Sequence, residues 1–383
     1  MTLFINARFL TQPMSGVQRY AREVLGALDR HLASDPGVRD ALGAVVALHP
    51  RAPVDDPGWR QIRLEPLAGG TGHLWEQGAL WRASRGGVLL SLGNSGPVLH
   101  RRHVLALHDA NIYEIPKAYS RKYRAWHKGL RPVLARRAAA LVTVSRFSAG
   151  ALARHLHVPE DRFSIVPNSA GHVLRVKADP LALNDWGLKV GGYWLSVGNQ
   201  SPNKNIARLV AAHRSLGDGV PPLVIAGGIA PGLAGEEGGS GARFLGRVGD
   251  AELRALYEGA SGFLFPSLHE GFGIPPLEAM ALGIPVLAAR CAAMPEVLGD
   301  AAMWFDPYSV ADMASAMRTF AEISPRKRAR MIAAGQARSV GFTWPASADR
   351  LISVLRGVCS ELAPDTYSRN MSGLLSSRQE GKR

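Results

Sequence analysis

Cysteine is almost missing from this chain: Cys291 and Cys359 are the only two in 383 residues. That excludes a disulfide framework and leaves too few thiols for a cysteine-built metal centre. Long apolar runs are also missing. No stretch of about 18 apolar residues is present to cross a bilayer, and the start, Met1-Thr-Leu-Phe-Ile-Asn-Ala-Arg8, lacks the basic opening and extended apolar core of a secretory signal. A cytoplasmic chain is the expectation. Acidic residues are scarce, 31 against 45 Lys and Arg, for a net charge of +14. The imbalance is uneven: residues 1–185 hold 25 basic against 14 acidic side chains, and residues 186–383 hold 20 against 17. A basic first half suits an anionic partner there: membrane lipid, nucleic acid or a phosphorylated substrate. Finally, no Gly-x-Gly-x-x-Gly follows the first strand, which removes the dinucleotide fingerprint.

What is present is a soluble-type composition, 46% hydrophobic with a mean hydropathy of −0.01, in a chain long enough for two cores. Its most informative stretch runs from Gly262 to Ala288. Gly262–Phe265 reads as a buried strand, and Ile284–Ala288 as another. Between them Pro275 and Pro276 mark the first turn of a helix. Seven residues separate Glu270, on the loop leaving the first strand, from Glu278, expected in that first helical turn. Each glutamate alone has a bland reading: Glu278 as a carboxylate favoured by the helix dipole, Glu270 as a solvated loop charge. Together, framed by Gly271-Phe272-Gly273 and two prolines, they point to a site at the carboxyl end of a parallel strand, where open α/β sheets bind ligands. Gly271 and Gly273 would let backbone amides approach a bound group.

The Glu, seven residues, Glu signature in its Glu270-Gly-Phe-Gly273 setting resembles that of the retaining glycosyltransferases of family four, and the resemblance runs from the first strand to the final helix. It implies an α/β chain of the GT-B fold: two doubly wound Rossmann-like domains with the site in the cleft between them. Strand–helix alternation in both halves agrees with this. The expected division is an acceptor-side domain over residues 1–178 and a nucleotide-sugar-binding domain over 186–345. A helix over about 346–362 crosses back to the first domain, and the tail 363–383 is polar and disordered.

Through the resemblance other positions acquire roles. Gly16, in Gly16-Val-Gln-Arg19-Tyr20, would leave room for donor phosphates, with Arg19 either reaching a phosphate or solvating its helix. His108, at the end of the strand His103–Leu107, would contact the transferred sugar, although a packed histidine is the commoner state of such a residue. Asn199 and Lys204 lie on the strand-to-helix junction after Tyr193–Gly198, where a lysine joins helix amides at a phosphate. The family usually has Arg-Lys-Asn there. This chain has Asn203-Lys204-Asn205, so Arg19 or Arg247 must supply any second charge. Arg247 falls in a segment, Arg243–Val248, expected near the nucleobase. Glu278 would accept two hydrogen bonds from the ribose diol, and Glu270 would orient the sugar or diphosphate. Asp-x-Asp occurs nowhere, so no metal and no cofactor are expected, the nucleotide-sugar being a substrate. Lys204 and the helix amides then meet the leaving diphosphate.

Residues 117–137 hold eight Lys or Arg and no acid, with Tyr119, Tyr123, Trp126, Leu130, Val133 and Leu134 interleaved at helical spacing. Such a helix suits an anionic membrane surface, or is an ordinary surface helix whose stripe packs on its own domain. The expected activity is transfer of a sugar, with a lean to mannose because Gly16–Tyr20 resembles bacterial polysaccharide mannosyltransferases. The acceptor would be a lipid-linked or saccharide hydroxyl on the inner face of the membrane, and no nucleic acid is expected. The alternatives are a nucleotide-sugar epimerase and a catalytically lapsed basic binding protein.

Overall fold

A computed structural model describes residues 1–199, 201–228 and 242–360. The glycine-rich segment 229–241 and the polar tail from 363 lie outside the described residues.

Thirteen short strands among the described residues form two sheets, every pairing parallel. The first comprises β1 (Thr2–Asn6), β2 (Ala44–Pro50), β3 (Arg63–Leu67), β4 (Val88–Ser91), β5 (His103–Ala106), β6 (Ala140–Thr143) and β7 (Phe163–Ile165). The second comprises β8 (Trp194–Val197), β9 (Leu223–Ala226), β10 (Ala242–Gly246), β11 (Gly262–Phe265), β12 (Val286–Ala289) and β13 (Ala302–Phe305). Their orders, β3-β2-β1-β4-β5-β6-β7 and β10-β9-β8-β11-β12-β13, are both doubly wound. Each reverses winding beside its first strand, between β1 and β4 and between β8 and β11. Central strands such as Val88–Ser91 and Gly262–Phe265 are buried on both faces because helices cover them. That explains why they read as unbroken apolar runs.

The last helix, Trp344–Ser360, belongs by chain order to the second half but packs on Gly16–Ser34 and Pro36–Leu42 of the first. Trp344, Ala348, Leu351, Ile352 and Leu355 line one buried face at helical spacing. Ser347 Oγ donates to Pro167 O at 2.7 Å at its start. The stretch after β13 folds as two helices, Val310–Ala321 and Pro325–Val340, because Ser324 caps a new start in front of Pro325. Two features differ from the sequence expectations. Strands β3 and β13 are additional edge strands. Arg63-Leu-Glu-Pro-Leu67 carries charges and a proline that an edge tolerates but a pattern search discounts. The helix after β11 begins at Ile274, so Glu278 opens its second turn, not its first.

Candidate active site

The carboxyl ends of both switch points face one another across the cleft. Lys204 lies on a 3-10 turn, Pro202–Lys204, after β8. The turn is closed by Asn205 in the left-handed region, φ 57°, which asparagine tolerates better than most residues. Asn205 Nδ2 donates to Pro266 O at 3.1 Å and Pro307 O at 2.9 Å, and Leu268 N donates to Asn203 O at 2.7 Å. These bonds fasten the lysine turn to the loops after β11 and β13. The lysine stem packs on Gly198. Lys204 Nζ donates to Glu270 Oε1 at 2.5 Å, with the two side chains 21% and 15% exposed. An ammonium and a carboxylate are thus held together, half-buried, at the strand ends. Asn199 is exposed beside them, its Oδ1 accepting from Ser201 N and Oγ.

The loop Glu270–Gly273 is also the seam between the halves, and its glycines are needed there for contacts within the protein. A Cβ on Gly271 would strike the carbonyl oxygen of His108, with Ser148 Oγ at 3.0 Å and Asp109 Cβ at 3.1 Å. Gly271 O accepts from Ser145 Oγ at 2.6 Å and Ser148 Oγ at 3.2 Å. Gly273 has φ 92°, and a Cβ there would strike Met294. Both glycines therefore permit protein–protein closeness, whatever else approaches. Phe272, placed by sequence in the donor site, is buried edge-on to Phe342 at 5.3 Å and serves the core. Glu296 reinforces the seam by accepting from Arg146 N and Phe147 N, both at 2.9 Å. A carboxylate from the second half thereby caps the helix Arg146–Leu156 of the first, alongside its own cap Ser145.

Glu278 is only 7% exposed. Its oxygens accept from His172 Nε2 at 2.7 Å and from Tyr257 OH at 2.8 Å. Held by a histidine of the first half and a tyrosine of the helix Asp250–Gly259, it is a structural node as well as a candidate ribose ligand. The Tyr257 phenol is pushed well above its ordinary range by burial, then by the Glu278 charge, so it remains a donor.

On the first half, His108 is buried with Tyr20 edge-on at 4.8 Å. Its Nε2 lies 2.8 Å from Leu92 O, which can only accept, so Nε2 carries the proton. Burial lowers its pKa, Leu92 and Asp109 oppose that, and the charge of Arg131 adds to it. The neutral ring therefore presents Nδ1 as a base or acceptor. Behind it Arg131 Nη1 donates to Asp109 O at 3.1 Å. This arginine, counted in the sequence among the surface charges of 117–137, is buried.

Gly16 opens its helix against Ile274 Cδ1, 3.8 Å from where its Cβ would be, and so faces the second half. Arg19 is committed to Asp250 at 2.5 Å across the cleft, so the second cation sought there is already paired. Arg247 Nη2 donates to Met14 O at 3.3 Å, also across the cleft. The residues brought together are Lys204, Glu270, Gly271 and His108; Gly16, Arg247 and Asn199 rim the cleft; Glu278 sits deeper. The sequence reading missed His172, Tyr257, Glu296, Arg131 and the pair His269–Asn111, whose Nδ1 and Oδ1 are 2.6 Å apart. Only His269, beside Glu270, carried a local signal. The others matter through partners more than 20 residues distant.

Two doubly wound sheets with facing switch points, a back-crossing helix and a cleft lined by Lys204 and Glu270 define a GT-B glycosyltransferase. The fold agrees with the solved sucrose-phosphate synthase from Thermosynechococcus elongatus, with a TM-score of 0.69 at 17% identity over 94% of this chain and 99% of that one. Family models described as "Glycosyl transferases group 1" and "Glycosyltransferase Family 4" match residues 191–338 and 77–170. O-antigen chain mannosyltransferase B of Escherichia coli is 33% identical over 258 residues, 63% of this chain and 67% of that protein. O-antigen chain mannosyltransferase RfbU of Salmonella typhimurium is 26% identical over 275 residues, 68% and 72% of the two chains. The chain belongs to glycosyltransferase family 4, and it is an enzyme that moves a sugar from a nucleotide-sugar donor to a saccharide acceptor.

Proposed function

We propose that the protein transfers mannose, with retention of configuration, from a nucleotide-linked donor to a growing cell-surface polysaccharide. The observation that carries the site assignment is the Lys204–Glu270 pair, 2.5 Å apart at the switch point of the second sheet. The mannose and polysaccharide parts rest on the relatives, which act on O-antigen chains by name. Lys204 meets the donor diphosphate in place of Glu270, which then turns to the sugar. Glu278 takes the ribose hydroxyls. The C1–phosphate bond breaks as the acceptor hydroxyl attacks C1 from the same face, and its proton passes to the departing phosphate oxygen. His108, neutral and fixed by Leu92, receives a sugar hydroxyl at Nδ1. Arg247 and Gly16 border the nucleotide, and Asn199 the diphosphate. The test is a screen of GDP- and UDP-sugars by thermal stabilisation, because a bound ligand raises the melting temperature by mass action. GDP-mannose should stabilise most. Stabilisation only by UDP-sugars would remove the mannose assignment, and none at all would remove the transferase reading.

Cytoplasmic attachment to the inner membrane face belongs to the same reading. No helix among the described residues is long and apolar enough to cross a membrane. In the basic helix Arg121–Arg137 five cations are exposed; Arg137 donates its Nε to Val98 O at 2.9 Å, which leaves Arg121, Lys122, Lys128 and Arg136 for lipid. At 3.6 residues per turn they fan over an arc of about 120°, a single basic face for lipid phosphates, each cation contributing about 1 kcal/mol near such a surface.

A further inference from the structure

We propose that the face from Tyr119 through Tyr123 and His127 to His73 and Trp126 is an acceptor track, holding successive sugars of an oligosaccharide whose end reaches Glu270. The inference rests on the saccharide-acceptor activity and specifies where and how the acceptor is read. The rings form a continuous row. Tyr119 and Tyr123 stack with centroids 5.5 Å apart, Tyr123 lies 4.2 Å from His127, His127 5.3 Å from His73, and His73 5.6 Å from Trp126. One end is at the transfer centre: the turn Pro116–Ala118, just before Tyr119, packs against Pro202–Lys204, and the charge of Glu270 acts on the Tyr119 phenol. At the other end Trp126 is 44% exposed, and Tyr123 midway is 42% exposed.

The polar side of the row is what separates a glycan from a lipid. His127 is 2% exposed, yet neither ring nitrogen has a hydrogen-bond partner among the described residues, whereas buried polar atoms are nearly always satisfied. Burial, then the charges of Arg131 and His73, depresses its pKa to about 4, so the ring is neutral with one donor and one acceptor. A sugar hydroxyl is both. The Tyr123 ring lies over His127, and a sugar seated against that ring shifts it and gives the imidazole its partner. Next to it, Glu76 is fully buried and accepts from Arg8 Nε at 3.0 Å, Asn6 Nδ2 at 2.9 Å, Ser95 Oγ at 2.8 Å and His73 Nδ1 at 2.9 Å. That network fixes His73 and the Arg8 guanidinium, whose Nη2 also donates to Ser95 Oγ at 3.0 Å. Its Nη1 makes no bond among the described residues. Stacking faces beside a rigid wall of donors and acceptors match the apolar C–H faces and polar edges of pyranose rings. Lipid headgroups, by contrast, need only the separate fan of exposed cations.

Calorimetric titration with lipid-free α-linked mannose oligosaccharides of one to four residues tests the track. Wild-type affinity should grow with length. Trp126→Ala and Tyr123→Ala should lose tenfold or more for the longest probe, while Trp126→Phe keeps most of it. All three should bind GDP as wild type does, which shows that the fold survives, and should still float with anionic vesicles. Wild-type affinity independent of length, or unchanged affinity in Trp126→Ala, would overturn the track. Loss of flotation with retained oligosaccharide binding would do so too, assigning the rings to lipid. Failure of every nucleotide-sugar to bind would instead strike the transferase reading.

Discussion

At the scale of single residues, the site works through groups already engaged with one another. Lys204 is paired with Glu270, so a diphosphate must compete with a carboxylate for the ammonium. Lys204→Ala should therefore weaken diphosphate binding by roughly 1.5–3 kcal/mol, the range for a charge-assisted bond, and leave nucleoside binding near wild type. Calorimetry with GDP and guanosine separates the two, and equal losses would indicate a structural defect. Glu278 is different. Its sequence position suggested a ribose ligand, and its bonds to His172 and Tyr257 show two buried donors depending on it as well. Glu278→Ala should cost about 1–3 kcal/mol of stability for each donor left unsatisfied, read as a lower urea midpoint, together with weaker nucleotide binding. Glu278→Gln, which keeps an acceptor oxygen, should recover part of the midpoint. An unchanged midpoint in the alanine variant would refute the node.

At the scale of elements, the loop after β11 couples chemistry to closure. Gly271→Ala forces a methyl group against the His108 carbonyl across the seam. Overpacking of this kind costs about 1–3 kcal/mol. Because the collision is relieved by parting the halves, turnover should fall sharply while far-ultraviolet dichroism stays native. Native turnover would show that the seam tolerates the change. The basic helix makes a separate prediction. Replacing Arg121, Lys122, Lys128 and Arg136 with glutamine should abolish flotation with anionic vesicles at low salt, an effect that salt imitates by screening over about 10 Å at 0.1 M. Transfer to a soluble acceptor should persist. Flotation equal to wild type would leave these side chains ordinary solvated charges. Arg131 is left out because its guanidinium supports Asp109 from inside.

Elements with strong local signals were legible in the chain. Both-face-buried strands such as Phe263–Phe265, the Pro275-Pro276 helix start and the Ser145 cap depend on neighbours in sequence. Edge strands β3 and β13, and the roles of Gly271, Phe272 and Arg131, depend on what lies opposite in space. A glycine needed against a carbonyl 163 positions away reads locally just like one needed against a phosphate.

At the scale of the whole molecule, buried neutral histidines should make stability sensitive to acid. Burial holds His103 down at about 3, and burial with nearby cations holds His127 at about 4. The unfolded chain takes up those protons near pH 6.5, so stability is full above that value. It falls as the pH drops toward the folded-state values, because only the unfolded chain binds the protons. The melting temperature should decline between pH 6.5 and 5, before carboxylates titrate, and His103→Leu should flatten part of that decline. A melting temperature constant over this window would contradict it. The two halves are joined where Gly271, Glu296 and Glu278 bridge to Ser145, Arg146 and His172, beside the back-crossing helix, and again where Arg19 meets Asp250 and Asn111 meets His269. Donor and acceptor are thus brought to a common seam. The measurement that tests this account most directly is the anomeric configuration of the product, read by NMR after incubation with GDP-α-mannose and a lipid-free mannose oligosaccharide. Same-face attack beside Glu270 predicts a new α-linkage, lost in Glu270→Ala. A β-linked product, or α-transfer undiminished in Glu270→Ala, would contradict it.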